Sequence, residues 1–143
     1  MNEEDANVLY EAFLVLTEKL VGDAETSLDT IAKAGKFLFE NKFTGVYASD
    51  KVPPTLTYAI INLDKSTERG SHWVALARQQ PGLYLLYDSF GRSKAKILPD
   101  LKMLTKDTDH DAEQEKSEDN CGARCLAWLC VFDQVGKEAA SLV

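Results

Sequence analysis

Cys121 stands between a polar, acidic stretch, Lys106 to Asn120, and the apolar run Leu126 to Phe132. That change of composition reads as a loop opening into a helix buried on all sides. Cys121 then lies in the first turn, where unpaired N–H groups and the positive end of the helix dipole favour a thiolate over a thiol. The thiolate is the nucleophile. A small, inert core cysteine is the competing reading. His72 opens one apolar segment and Asp88 closes another, with Gln79-Gln80-Pro81-Gly82 as a turn between them. An antiparallel hairpin returns both ends to one rim of a sheet, so His72 and Asp88 are expected side by side. A histidine beside an aspartate is the base and orienter that a cysteine nucleophile requires. An ordinary strand histidine and a strand-end acid stay open as alternatives. Gln114, in the loop before Cys121, could aim its amide at an acyl oxyanion, a contact that contributes about 2.7–4 kcal/mol in a transition state. A solvated loop glutamine is the alternative.

These groups need a scaffold to hold them. Val8, Leu9, Phe13, Leu16 and Leu20 give an amphipathic helix over residues 3 to 20, ended by Gly22. Ser27 is an N-cap for a second helix carrying Ile31, Ala32, Ala34 and Phe37. Phe43 to Tyr47 is extended, and Val52-Pro53-Pro54 stops regular structure. Thr55 to Leu63, His72 to Arg78 and Leu83 to Asp88 read as strands. The last two are apolar on both faces and belong in the middle of a covered sheet. A short helix is expected over Ile97 to Leu104, a surface loop from Lys106 to Asn120, and the final helix from Cys121 to about Gln134. The fold class is α+β: a small central mixed or antiparallel sheet packed by the buried nucleophile helix and flanking helices. One domain is expected over residues 1–143.

The strings Gly70-Ser71-His72-Trp73-Val74-Ala75-Leu76, Tyr84 to Gly91, Gln114, and Asn120-Cys121-Gly122-Ala123-Arg124-Cys125 together resemble the adenovirus maturation protease (adenain) family. More distantly they resemble the cysteine proteases of the same clan that remove SUMO-type modifiers. The resemblance runs over residues 28 to 135 and leaves residues 1–25 as an additional N-terminal helix. It implies His72 as general base, Asp88 as its orienter, Gln114 as oxyanion donor and Cys121 as nucleophile. Trp73 would wall the site or simply pack in the core. Gly122 would let a substrate carbonyl or the helix start approach closely. The implied activity is that of a cysteine endopeptidase cleaving capsid or core precursors during virion maturation, as in virophages and related DNA viruses. It would act in the viral factory, host cytoplasm or nucleus, and in the packaged virion. An isopeptidase for ubiquitin-like modifiers, with Trp73 lining a slot for a Gly-Gly tail, is the alternative activity. A non-catalytic binding module on the same fold is the third possibility.

Composition narrows the partners. The chain has 143 residues, 45% hydrophobic and 27% charged, which suits one globular domain with a single core. The net charge of −7 argues against tight nucleic-acid binding and against the DNA activator that adenain uses. No residue matches the cysteine that holds adenain's peptide activator, so no cofactor is expected. No apolar run is long enough for a membrane span. The acidic N-terminus lacks a signal pattern. Three cysteines, Cys121, Cys125 and Cys130, make no disulfide framework. Only His72 and His110 could join the Cys121/Cys125 pair at a metal, and no metal site is expected. The partners are then protein or peptide substrates, met by a monomer.

Overall fold

The computed structural model describes residues 1–22, 27–63, 72–108 and 120–143. Helix α1 (Glu3–Val21) starts where Asn2 Oδ1 accepts the N–H of Asp5 at 2.8 Å, with Glu3, Glu4 and Asp5 set against the helix dipole. It buries Ala6, Tyr10, Leu14, Thr17 and Val21, the spacing of a single helical face. Helix α2 (Leu28–Phe39) is capped by Ser27, as its sequence predicts, through the Thr30 N–H at 3.2 Å. A 3₁₀ turn (Glu40–Lys42) leads into β1 (Phe43–Ala48).

The other strands are β2 (Tyr58–Asn62), β3 (Trp73–Gln80), β4 (Leu83–Tyr87) and β5 (Leu104–Asp107). They form a mixed five-stranded sheet among the described residues, in the order β1-β2-β3-β4-β5. The outer pairs β1/β2 and β4/β5 are parallel, and the inner pairs are antiparallel. Both faces are covered, as the continuous apolar runs require. Tyr58, Ile60, Trp73, Ala75, Leu85 and Tyr87 face α1, α2 and α4 (Cys121–Val135). Ala59, Ile61, Val74, Leu76 and Leu86 face a smaller cluster built on Leu56 and Leu98. The architecture is therefore α+β. No helix among the described residues is long and apolar enough to cross a membrane.

One expected element is displaced. A helix over Ile97 to Leu104 does not form. Helix α3 (Lys94–Ile97) ends at Leu98, because Pro99 disfavours helical backbone in the residue before it and has no N–H to donate. Lys106, expected in a loop, lies in β5 instead. Asp107 Oδ1 there accepts the N–H of Lys94 at 2.9 Å and ties the strand to the start of α3.

Helix α4 is buried at every position from Gly122 to Val131. Trp128 anchors it, stacking on Tyr87 with centroids 5.4 Å apart and donating Nε1–H to Ala140 O at 2.8 Å in α5 (Lys137–Ser141). On the other side of the core, a β-carbon at Gly35 of α2 would overlap the fully buried ring of Phe43. A ring cannot yield as a flexible chain end does, so α2 must lift off β1. Gly35→Ala is expected to cost about 1–3 kcal/mol in urea unfolding, despite the better helix propensity of alanine.

Candidate functional site

The site lies at the rim where β3 begins and β4 ends. The register pairs Ala75 with Tyr87 and carries one irregularity, between Arg78 and Gln80. Continued three residues along each strand from that pair, it sets His72 level with Phe90. The sequence places His72 and Asp88 side by side at this rim; unbroken register from Gln80 and Leu83 would set His72 level with Gly91, and the extra residue Gln79 brings it one position nearer Asp88. Asp88 reaches the ring diagonally, as the chain leaves β4. Its Oδ1 meets His72 Nε2 at 2.7 Å.

Four donors converge on the Asp88 carboxylate. Oδ1 accepts His72 Nε2–H and the Phe90 N–H at 3.1 Å. Oδ2 accepts the Arg92 backbone N–H at 3.2 Å and its Nε–H at 2.7 Å. The turn that makes this possible closes with Gly91 N–H on Asp88 O at 2.8 Å, and Gly91 takes φ +71°, which a side chain would strain. Burial pushes the Asp88 carboxyl up, but the hydrogen bonds from His72, Arg92 and Phe90 outweigh it and hold it at about 2. A carboxylate lowered from 3.8 to about 2 contributes about 2 kcal/mol of stability. That stability is present above the ordinary carboxylate range and is lost as pH falls through about 4 to 2. Urea titrations across this window should show the wild type losing about 2 kcal/mol more than Asp88→Asn.

The ring of His72 is fixed on its flat side as well. Phe90 stacks on it with centroids 4.5 Å apart and planes 24° apart, and the Arg92 guanidinium lies 5.1 Å from the Phe90 centroid. Since the carboxylate can only accept, Nε2 carries the proton and Nδ1 is the nitrogen left for a second partner. That partner is the Cys121 side chain, half-buried at the head of α4. Burial lowers the His72 pKa, but the hydrogen bonds to Asp88 and Cys121 overcome it, and the net shift is upward. Stability from the raised value is held below the ordinary imidazole range and lost as pH rises through the folded value.

The structure thus brings His72, Asp88 and Cys121 together. Gln114 lies outside the described residues, as does His110. Trp73 is 9% exposed, belongs to the main core cluster, and accepts the Cys125 thiol on its carbonyl at 3.4 Å. Gly122 packs inward, where a β-carbon would press on Ile31 Cδ1 and approach Trp73. Of the two roles expected for it, the close approach serves the helix start against α2. Among the described residues no group of three metal-ligating side chains forms.

No protein-family model and no curated protein matches the chain. The residues themselves therefore carry the reading. Sequence reasoning passed over Phe90 and Arg92, which complete the hold on His72. The signal was present in Asp88-Ser89-Phe90-Gly91-Arg92: an acid, a turn glycine and then a cation whose side chain can return to the acid. Arg124 was passed over too, although a single arginine inside an apolar helix needs buried partners.

Proposed function

We propose that this chain is a cysteine peptidase in which Cys121 is the nucleophile, His72 the general base and acid, and Asp88 the group that orients the ring. The observation that supports it most is the His72 ring, hydrogen-bonded on one nitrogen to Asp88 and partnered by Cys121. In the proposed reaction, the Cys121 proton passes to His72 Nδ1 and the sulfur attacks the peptide carbonyl carbon. The carbonyl oxygen becomes an oxyanion held by the backbone N–H of Cys121, with Gln114 as the second donor by the resemblance. His72 returns the proton to the departing amine as the C–N bond breaks, leaving a thioester. Water then attacks the thioester, His72 takes its proton, and the acid and free thiol are released.

Asp88 keeps the ring in the tautomer this sequence of transfers needs and stabilises the imidazolium. The resemblance to adenain directs the substrate to precursor proteins of a virus particle. The burial of Trp73 in the core lends no support to a tryptophan-lined slot for a modifier tail. The test has two arms. Iodoacetamide at pH 6 should label Cys121 well ahead of Cys125 and Cys130, read by peptide mass mapping. A peptide library should be cleaved, while fluorogenic ubiquitin-like substrates should not. Equal labelling of the three thiols with no cleaved peptide would end the proposal.

A further inference from the structure

Four polar side chains lie beside the proposed triad and play no part in it. Tyr10 and Tyr87 are fully buried, and Arg124 is 6% exposed. The Tyr87 and Tyr10 hydroxyls are 2.6 Å apart. Arg124 Nη1 donates to the Tyr10 hydroxyl at 3.1 Å, and Arg124 Nε donates to Asn120 Oδ1, also at 3.1 Å. The ends of this chain of contacts are telling. Tyr87 immediately precedes Asp88, and Asn120 immediately precedes Cys121. Its middle member, Tyr10, comes from α1, which the resemblance leaves outside the protease fold. A second side chain of α1 reaches the same helix start, with Thr17 Oγ1 donating to Ala123 O at 2.9 Å.

Asn120 is also diverted from the role its type favours. Asn2 and Ser27 begin α1 and α2 in extended backbone, and each accepts a first-turn N–H on its side chain. Asn120 has ψ 25° and makes no capping bond, and its oxygen accepts from Arg124 instead. The N–H groups in the first turn of α4 are therefore not covered by the residue best suited to cover them.

We propose that Tyr10 and Arg124 are positioning residues of the site, and that Tyr87–Tyr10–Arg124–Asn120 is a brace between the strand end carrying Asp88 and the helix start carrying Cys121. The inference rests on the cysteine-peptidase reading. The brace fixes the separation of the His72–Asp88 pair from the sulfur, which must hold to a fraction of an ångström for proton transfer. Helix α1 is then part of the catalytic frame.

The test uses the full chain with Tyr10→Phe, Asn120→Ala and the double variant, each checked by thermal unfolding. Tyr10→Phe keeps the ring and its packing and removes only the hydroxyl. Two quantities are read: the pH profile of iodoacetamide alkylation at Cys121, and kcat and KM on a peptide that the wild type cleaves. Each single variant is expected to lower alkylation at pH 6 and kcat by about 3–10-fold, the size of one buried hydrogen bond, with KM little changed. The double variant should be no worse than the poorer single, since both cut the same chain. Wild-type alkylation profiles in both singles, or losses that multiply in the double, would overturn the brace and leave the peptidase reading standing. A wild-type Cys121 no more reactive at pH 6 than Cys125 would overturn the peptidase reading, and the brace with it.

Discussion

Cys121→Ala is expected to lower peptide cleavage by about 10⁴-fold or more, leaving only the background supplied by binding and backbone donors. Cys125→Ala and Cys130→Ala are expected to keep most of the activity. The contrast follows from where the three sulfurs sit. Cys121 is half-buried and is the His72 partner. Cys125, one turn on, is fully buried, donates to Trp73 O, and is pushed well above the usual thiol range by burial and by the neighbouring Cys121 and Asp88. Burial, with Asp133 nearby, pushes Cys130 up to about 12. A thiol held protonated is a poor nucleophile. Initial rates on one cleavable peptide, with folding checked by circular dichroism, decide the matter. Normal turnover in Cys121→Ala would remove the assignment, whatever the geometry.

The parts of this molecule that were legible in sequence are those written in short-range pattern. The Ser27 cap, the two-faced strands around Ala75 and Leu85, and the all-round apolar helix after Cys121 each follow from local composition. That His72 and Asp88 meet at one rim was legible from topology; which residue lies level with His72 was not, because the irregularity between Arg78 and Gln80 leaves no clear mark in the chain. β5 was not legible. Its four residues, Leu104-Thr105-Lys106-Asp107, are half-exposed at a sheet edge, where charged side chains are common and apolar alternation is weak. The groups that tighten the site were hidden for a different reason. Arg92 bonds an acid four residues back, and Arg124 joins helix α1 to the residue before Cys121. Nothing in one-dimensional periodicity reports which buried polar groups will meet across a core.

Asp88→Asn is expected to cost about four orders of magnitude in kcat with KM nearly unchanged. The change is isosteric, so the argument is one of donors and acceptors. The carboxylate receives four N–H donors, two on each oxygen. An amide offers one oxygen and one NH₂ group, and can satisfy only one of those pairs. Arg92 is always protonated and supplies both donors on Oδ2, so the amide oxygen should turn to it. The NH₂ group then faces His72, whose Nε2 must become an acceptor. The proton moves to Nδ1, the nitrogen meant for Cys121, and the ring can no longer take the thiol's proton. The raised His72 pKa depends on the same carboxylate: burial alone lowers it, and Asp88 is the largest of the contributions that reverse the sign. Imidazole titration followed by NMR should therefore move down in the variant while the fold is kept. A downward titration shift with kcat unchanged would show that the pair is structural and that Cys121 does not depend on it. An unchanged titration would instead separate His72 from Asp88 in solution, and the proposed base would lose its orienter.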